Sequence, residues 1–337
     1  MSEIKINKIS VLGAGGWGTA LATILAESFD KVILWSHDDD TSAEINTRHT
    51  NSTYIEGIKI PENVVATNDF MPIGDSDMII CAVPSQYIRH VINRSKIDFS
   101  QKYVVNGAKG IERNSLLRIS GIFEEAAGVR PEKFAVITGP SHAEEVARHL
   151  PTTVVTASEN HSLAEKIQDL FTQPYFRVYT SEDLTGCETG GSLKNVIAIA
   201  AGIIDGLGLG DNTKAALLTR GLAEMSRLGI ALGANPLTFS GLSGLGDLFV
   251  TCNSKHSRNR RVGEKIGKGK TLEEISKETK TVAEGVFTAE SAYYLVLKHN
   301  VEMPIAEQVF KILFEGREPT EAIKGLMARS TKREWWW

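Results

Sequence analysis

The N-terminal half of the chain alternates between short apolar runs and longer segments with apolar residues at helical spacing. Short apolar runs that separate helical segments are typical of strands buried in a parallel sheet. They predict strands at 9–12, 31–36, 77–83, 103–108, 134–138, 152–157 and 176–180. Helices are predicted between them at 19–27, 85–93, 115–127 and 162–171. This alternation predicts a Rossmann-type, doubly wound α/β sheet.

The pattern changes after about residue 181, where we predict helices and no further strand. The predicted helices cover 191–204, 212–232, 258–267, 272–278, 285–298 and 304–314. The first is apolar at its helically spaced positions and has mostly Ala or Gly between them, which indicates a helix buried on all sides. Because 337 residues are more than one core usually holds, we expect two domains, 1–188 and an all-α domain at 189–334.

A glycine-rich loop follows the first predicted strand without a spacer. Its sequence, Gly13-Ala14-Gly15-Gly16-Trp17-Gly18, fits G-x-G-x-x-G. In that motif Gly13 makes the tight turn, Gly15 admits a pyrophosphate to the backbone, and Gly18 lets the helix pack on the strand. Strand, loop and helix come in the required order, so this segment predicts a dinucleotide-binding fold.

The end of the second predicted strand bears on the choice of dinucleotide. Folds that prefer NAD commonly place Asp or Glu there, on the ribose hydroxyl. This chain has Ser36 and His37, which tolerate a 2′-phosphate better than a carboxylate does. His37 is either such a contact or a solvated histidine of the loop. Asp38, Asp39 and Asp40 follow directly and point the other way. We therefore expect NADP(H) to be preferred, with NAD(H) left open.

Composition and charge indicate a globular protein with a small anionic ligand. Hydrophobic residues make up 42% and charged residues 23% of the chain. We find no signal peptide and no apolar run of the roughly 18 residues that a membrane span needs. Three widely spaced cysteines fit neither a disulfide framework nor a metal site, which favours a reducing cytosol. Residues 1–190 carry a net charge of −8 and residues 191–337 carry a net charge of +4. The positive charge of the second half suits a small anionic substrate but is too small for nucleic-acid binding.

Candidate ligand contacts follow three of the predicted strands, because ligands of open α/β sheets bind beyond the carboxyl ends of the strands. Pro84 and Ser85 follow the first of these strands. Lys109 follows one strand and is either a ligand-binding cation or a surface lysine in a turn. Gly139 and Ser141 follow another. Ser141 and Glu144 also have the S-x-x-E form of a capping box, so Ser141 is interpreted first as a helix cap.

Polar residues in the helical half supply the remaining candidates. Lys194 and Asn195 open a helix that is otherwise apolar. Lys194 is either a snorkelling lysine or a general base. In the second case, burial and a second cation lower its pKa. Asp247, in a glycine-dense loop, is either a turn or N-cap aspartate or a carboxylate that pairs with a lysine or a substrate hydroxyl. The run 257–261 (SRNRR) opens a helix and is either a phosphate site or a solvated face. We find no metal-ligand spacing.

These stretches together resemble one enzyme family over nearly the whole chain. The matching segments are GAGGWGTALA, WSHD, AVPS, KGIE, GPSHAEEVA, GGSLKNVIAIAAGI, GLGDLFVTC, SRNRRVG and VAEGV. They are similar to the NAD(P)-dependent sn-glycerol-3-phosphate dehydrogenases of the bacterial biosynthetic type. The resemblance implies a helical domain like the C-terminal domain of 6-phosphogluconate dehydrogenase, and a cytoplasmic homodimer. It also implies interconversion of sn-glycerol 3-phosphate and dihydroxyacetone phosphate, which supplies glycerol phosphate for phospholipid synthesis.

The resemblance also implies roles for individual residues. Lys194 matches the proton acceptor of the family. The matching substrate-binding positions are Lys109, Gly139, Ser141, Asn195, Asp247, Ser257, Arg258 and Asn259. The matching cofactor positions, with the glycine loop, are Gly13, Gly15, Gly16, Trp17, Gly18, His37, Tyr54, Lys109, Ala143, Arg258, Val282 and Glu284.

Two other functions remain open on the sequence. A β-hydroxyacid dehydrogenase, a 6-phosphogluconate dehydrogenase or a ketopantoate reductase also joins a dinucleotide domain to a helical domain. A regulatory module that senses NAD(P) without turnover is the alternative from another class. No function is assigned to the tail, Trp335–Trp337.

Overall fold

The chain is divided into two compact units, and the computed structural model describes residues 4–278, 283–331 and 333–334. The first unit contains the residues up to Lys109 together with Leu117–Leu184. The second contains Gly110–Leu116 and the residues from Thr185 onward. The chain therefore enters the second unit for seven residues, returns to the first, and crosses again at residue 184.

The first unit is built on one eight-stranded sheet. Its strands are β1 (Ile9–Leu12), β2 (Val32–Trp35), β3 (Val64–Thr67), β4 (Met78–Cys81), β5 (Tyr103–Asn106), β6 (Phe134–Thr138), β7 (Thr152–Ala157) and β8 (Phe176–Ser181). They lie in the order β3-β2-β1-β4-β5-β6-β7-β8. At the centre of the sheet, Val11 of β1 is paired with Leu34 of β2 on one side and with Ile80 of β4 on the other. The fold class predicted from the sequence is confirmed.

Two features of the sheet were not predicted. Strand β3 has only four residues and alternates buried and half-buried positions, so it does not stand out as an apolar run. Strand β7 runs antiparallel to β6, and β8 runs parallel to β7. The first six strands thus form the parallel part of the sheet, and the last two run in the opposite direction.

Seven α-helices belong to the described part of the first unit. They are α1 (Gly16–Leu25), α2 (Asp39–Arg48), α3 (Met71–Gly74), α4 (Ile88–Ser95), α5 (Ile119–Ala127), α6 (Ala143–Val146) and α7 (His161–Phe171). Helix α1 buries eight of its ten residues, because Ala and Leu let it lie close to the sheet. Helix α2 begins in the acidic run, where the sequence analysis predicted no helix. Its N-cap is Asp38, and Asp39 and Asp40 lie in its first turn, where the helix dipole favours negative charge.

The described part of the second unit is helical. Its helices are α8 (Leu184–Leu207), α9 (Gly210–Ala231), α10 (Asp247–Asn253), α11 (Arg258–Gly267), α12 (Leu272–Glu278), α13 (Glu284–His299), α14 (Pro304–Phe314) and α15 (Pro319–Met327). Helix α8 is longer at both ends than predicted. By length and mean hydropathy alone α8 would be able to cross a membrane, which the sequence did not lead us to expect. However, 78% of its most apolar window is buried within the protein, as in a core helix.

Helices α8 and α11 cross with their backbones in close contact. Each carries two glycines four residues apart, Gly202 and Gly206 on α8 and Gly263 and Gly267 on α11. A Cβ atom on Gly202 would overlap the carbonyl oxygen of Arg260, and one on Gly263 would overlap a carbonyl oxygen of α8. Only glycine permits this approach, so the crossing fixes the start of α11 relative to α8.

Candidate active site

The glycine loop has the shape that a dinucleotide pyrophosphate requires. Gly13 has a φ of +116°, and a Cβ there would lie 2.9 Å from the carbonyl group of Ala82. A Cβ on Gly18 would overlap the carbonyl oxygen of Gly13. In contrast, nothing lies within 4 Å of a Cβ built on Gly15. Two glycines are therefore required by packing, and the third leaves open space at the uncapped N-terminus of α1, where backbone N–H groups favour a phosphate.

Other predicted cofactor residues surround this loop within the first unit. A Cβ on Gly16 would lie 2.9 Å from the carbonyl oxygen of Tyr54 and 3.6 Å from the Cβ of Ala143. The Trp17 ring is half-buried, and its Nε1 lies 2.9 Å from a Cβ built on Gly107, just beyond β5. The structure thus brings Gly16, Tyr54 and Ala143 together, and these residues fit a dinucleotide bound along the loop.

The loop after β2 presents His37 rather than an acidic side chain. His37 is exposed, whereas Ser36 is buried and its Oγ accepts a hydrogen bond from the backbone N–H of Asp38. The Asp38 carboxylate accepts hydrogen bonds from the hydroxyl and the backbone N–H of Thr41, at 2.5 and 3.1 Å. These two hydrogen bonds hold the pKa of Asp38 below its ordinary value, and the bond from the hydroxyl has the larger effect. This carboxylate is therefore occupied in capping α2.

Three predicted substrate residues converge on one carbonyl oxygen in the first unit. The Gly139 carbonyl oxygen accepts hydrogen bonds from Lys109 Nζ at 3.0 Å and from Ser141 Oγ at 2.9 Å. Gly139 has a φ of +131°, and a Cβ there would lie 3.2 Å from the Cα of Val154. The interpretation of Ser141 as a helix cap is wrong. Helix α6 begins at Ala143 without a side-chain cap, because the Ser141 hydroxyl bonds back to Gly139 instead.

Lys194 lies in the middle of α8 and is buried, with only 6% of its surface exposed. Its Nζ donates hydrogen bonds to Asp247 Oδ1 at 2.8 Å and to Thr251 Oγ1 at 2.6 Å. The prediction that Lys194 opens its helix is wrong, because α8 begins ten residues earlier, at Leu184. The snorkelling interpretation is wrong as well, since the amine ends on a buried carboxylate rather than in solvent. Within the second unit, Lys194 therefore has a carboxylate, Asp247, as its ion-pair partner.

Asp247 is the first residue of α10 and is almost fully buried. Of the partners considered for it, the structure shows a lysine. Thr251, one helical turn later, donates to the same carboxylate oxygen at 3.3 Å. Sequence reasoning missed Thr251, although its spacing of four residues from Asp247 placed both on one helix face. Glycine again allows the approach, since a Cβ on Gly190 of α8 would lie 2.7 Å from the carbonyl oxygen of Ser243.

The start of α11 carries the predicted phosphate-binding residues. Ser257 is the N-cap, and its side chain accepts a hydrogen bond from the Arg260 N–H at 3.2 Å. Asn259 is buried, and its Oδ1 accepts from the backbone N–H of Gly285 at 2.9 Å. A Cβ on Gly285 would also lie 2.6 Å from the carbonyl oxygen of Asn195, so α8, α11 and α13 meet here. Arg258 is exposed at this helix end.

Some of the other residues near the start of α11 make structural contacts, and others are candidate ligand contacts. Arg260 is held by Asp205 at 2.6 Å, and Lys214 binds the same carboxylate at 2.9 Å. Arg260 is therefore occupied within the unit. Glu284 is the first residue of α13, beside Gly285. Val282, also predicted to contact the cofactor, lies outside the described residues.

The described residues also bear on other kinds of catalysis. Among them, no group of three or more His, Cys, Asp or Glu side chains is arranged to hold a metal ion. The three cysteines lie within the described residues, form no disulfide and are buried. Burial raises the pKa of the Cys81 and Cys252 thiols to about 12, so neither is a thiolate nucleophile at neutral pH.

Comparisons with known proteins identify the family to which the chain belongs. Residues 8–164 match the family model described as the N-terminus of NAD-dependent glycerol-3-phosphate dehydrogenase, and residues 183–324 match the model of its C-terminus. The glycerol-3-phosphate dehydrogenase [NAD(P)+] of Carboxydothermus hydrogenoformans is 50% identical over 329 residues, which cover 97% of this chain and 98% of the relative.

Solved structures give the same result. A crystal structure of glycerol-3-phosphate dehydrogenase from Coxiella burnetii superposes with a TM-score of 0.91 at 39% identity, covering 96% of this chain and 99% of the other. A ketopantoate reductase from Ralstonia eutropha, with a TM-score of 0.59 and 12% identity over 94% of this chain and 99% of the other, shares the fold alone. The chain therefore belongs to the NAD-dependent glycerol-3-phosphate dehydrogenases, a family of NAD(P)-dependent oxidoreductases.

Proposed function

We propose that this chain interconverts sn-glycerol 3-phosphate and dihydroxyacetone phosphate with NADP(H) or NAD(H). The observation that carries the proposal is the buried Lys194 amine, held by Asp247 and Thr251 in the unit that also carries the Ser257–Asn259 helix end. Hydride transfer is the chemistry that the nicotinamide supplies when it is bound. The residues of the chain bind and orient the substrate and move the proton.

Lys194 is the proton acceptor in this proposal. The neutral amine of Lys194 takes the proton of the C2 hydroxyl when the alcohol is oxidised, and the ammonium form returns it to the carbonyl oxygen in the reverse direction. Asp247 and Thr251 fix the rotamer of the lysine, so the amine is in place before the substrate binds. The positive charge of the Lys194 ammonium also stabilises the negative charge that develops on the carbonyl oxygen during reduction.

The remaining substrate contacts follow from the two clusters described above. Ser257, Arg258 and Asn259 bind the phosphate, because a helix N-terminus and an exposed guanidinium both favour an anion. Since the phosphate does not react, its binding energy holds the three-carbon unit in position. Lys109, Gly139 and Ser141 of the first unit are proposed contacts of the reacting end, and Asn195 and Asp247 of the second unit are proposed contacts as well. Lys109 and Arg258 also contact the cofactor.

The cofactor lies along the glycine loop, over Gly13, Gly15, Gly16 and Gly18. Its other proposed contacts are Trp17, His37, Tyr54, Ala143, Val282 and Glu284. Because the Asp38 carboxylate is occupied by Thr41, the loop after β2 offers His37 to the ribose, which supports a preference for NADP(H). We expect His37→Ala to weaken NADPH binding more than NADH binding, as measured by isothermal titration calorimetry.

The test of the proposal is turnover by the purified chain with NADPH and dihydroxyacetone phosphate, followed by NADPH absorbance. We expect Lys194→Met to lower kcat by about 10²- to 10⁴-fold, the usual contribution of a general base, without weakening NADPH binding. Lys214→Met is the matched control, since Lys214 is also an ion-paired lysine of the second unit, and its kcat should stay close to that of the unsubstituted chain. Normal turnover by Lys194→Met would remove this lysine from the mechanism.

A second pair of variants tests the phosphate site. Arg258→Ala should raise the KM for dihydroxyacetone phosphate, whereas Arg261→Ala, at an exposed arginine three residues away on the same helix, should leave it unchanged. An unchanged KM in both variants would exclude this site. Turnover of 2-keto acids such as ketopantoate in place of the triose phosphate would favour the related dehydrogenases. Tight NADPH binding without turnover of either substrate class would favour the sensing module.

Assembly and cellular role extend the same proposal. We expect a cytoplasmic homodimer that supplies glycerol phosphate for phospholipid synthesis. Leu237, Phe249 and Leu297 of the second unit are large apolar side chains that are at least 60% exposed, which supports a contact through this unit. Analytical ultracentrifugation measures the state directly, and a monomer at all concentrations would contradict the dimer.

A further inference from the structure

Asn51 is a buried polar residue of the first unit that contacts the glycine loop from outside the motif. Its relative exposure is 0%. Its side-chain Nδ2 donates hydrogen bonds to the carbonyl oxygen of Ala14 and to the hydroxyl of Thr19, each at 2.9 Å. Ala14 lies inside the glycine loop and Thr19 in the first turns of α1. Both groups are more than thirty residues away in the chain.

The chemistry of these contacts requires an NH₂ group at this position. The carbonyl oxygen of Ala14 only accepts hydrogen bonds, so the amide must turn its Nδ2 toward it. Its Oδ1 is then left buried, with no hydrogen-bond partner among the described residues. An unpaired buried oxygen lowers the stability of a fold. Asn51 is therefore poorly explained by stability alone and well explained by the two hydrogen bonds that it donates.

The backbone of Asn51 links the loop to a second cofactor residue. The carbonyl oxygen of Asn51 accepts hydrogen bonds from the N–H groups of Tyr54 and Ile55, at 3.2 and 2.9 Å. This turn brings the carbonyl oxygen of Tyr54 against Gly16. One residue thus holds the loop through its side chain and places Tyr54 beside the loop through its backbone.

We infer that Asn51 is a positioning residue that fixes the Ala14–Gly16 backbone before the dinucleotide binds, so that binding does not have to order it. The inference rests on the proposed function, in which this loop binds the pyrophosphate. Without the amide, the loop has several arrangements when it is empty, and ordering them weakens binding. Since NADH and NADPH share the pyrophosphate, both are affected equally.

The chain contains a matched control at the opposite end of the same helix. Asn63 Nδ2 donates hydrogen bonds to the carbonyl oxygens of Ala26 and Phe29, both at 2.8 Å, just beyond the C-terminus of α1. Asn51→Asp and Asn63→Asp therefore make the same change, from donor to acceptor, against a backbone carbonyl. Only the first lies at the end of α1 that faces the phosphates.

The experiment measures the Kd of NADPH and of NADH for the full-length chain and both variants by isothermal titration calorimetry. Loss of the two donated hydrogen bonds should weaken both dinucleotides in Asn51→Asp by about tenfold, or ~1.4 kcal/mol. The Kd of Asn63→Asp should stay within about twofold of the unsubstituted value, a difference of ~0.4 kcal/mol. At saturating NADPH, the KM for dihydroxyacetone phosphate should not change in either variant, because the loop does not hold the substrate.

Two results would overturn the inference. One is an unchanged Kd in Asn51→Asp, and the other is equal weakening in both variants, which would make the effect one of general stability. If Asn51→Asp does not fold, Asn51→Ser retains one donor at a shorter reach and is expected to weaken both dinucleotides in the same way. If the unsubstituted chain does not bind NADPH, the proposed function itself fails. Normal binding in the unsubstituted chain and in every Asn51 variant refutes only the role of Asn51.

Discussion

The pairing of Lys194 with Asp247 makes a quantitative prediction about stability. The two side chains are only 7% and 2% exposed, and the ion pair measures 2.8 Å. Removing one member of such a buried pair leaves the other charge in the interior without its partner, which typically lowers stability by about 3–5 kcal/mol. We therefore expect Lys194→Met and Asp247→Leu each to lower the free energy of unfolding by this amount.

The double variant should behave differently, because it contains neither charge. Replacement of a buried ion pair by apolar side chains of similar volume is often close to neutral. The double variant should therefore be more stable than either single variant. The resulting coupling energy is about 3 kcal/mol or more, larger than the ~1 kcal/mol found for exposed pairs.

Urea unfolding of the four proteins, followed by circular dichroism of the helices, measures this cycle. Each free energy of unfolding comes from linear extrapolation to zero urea. A double variant whose loss equals the sum of the two single losses would refute the reasoning. The pair would then be an incidental contact, and Asp247 would not hold the lysine in place.

Two further predictions concern the second unit. Glu224 accepts hydrogen bonds from two N–H groups at the start of α14, and burial raises its pKa from 4.5 to about 7. The folded protein therefore binds the proton of Glu224 more tightly than the unfolded chain does. The stability that this proton contributes is fully present below pH 4.5 and is lost as the pH rises to about 7. The loss in the free energy of unfolding is at most about 3 kcal/mol. Urea unfolding between pH 5 and about 8 should show this loss in the unsubstituted chain and not in Glu224→Gln; equal pH profiles would contradict it. Gly263→Ala should force α11 away from α8, lowering stability by about 1–3 kcal/mol and raising the KM for the phosphorylated substrate. Gly325→Ala in α15, where a Cβ meets only the end of the Arg317 side chain, is the control and should be neutral or stabilising in the same denaturation and kinetic assays.

The sequence predicted the parallel part of the sheet because its central strands are buried on both faces and appear as continuous apolar runs. Strand β3 was missed because four residues with alternating burial carry too little signal. Helix α2 was missed because three consecutive aspartates resemble a loop, although they suit a helix N-terminus. Strand β7 is reversed because the chain returns beside β6 without first crossing to the other end of the strands, and a local pattern does not contain that information.

The site was predicted as far as single residues signal chemistry. Lys194 was recognised because a lysine is unusual in an apolar helix, but its partner Thr251 becomes visible only when α10 packs against α8. Asn51 gave no signal, since a buried amide and a loop amide look alike in a sequence. Ser141 gave the wrong signal, because a capping motif and a turn that bonds back to a carbonyl use the same residue type.

The short excursion of the chain into the second unit has a consequence for how the protein can be divided. Ile111 is buried in the core of the second unit, Ser192 exchanges hydrogen bonds with the backbone of Gly110, and Ser291 donates one to the carbonyl oxygen of Ile111. A fragment that ends at residue 184 would carry this segment without any of those partners. During synthesis, residues 110–116 leave the ribosome long before the helices that receive them. The nucleotide-binding unit therefore cannot be isolated by a single cut, and its full stability depends on completion of the chain.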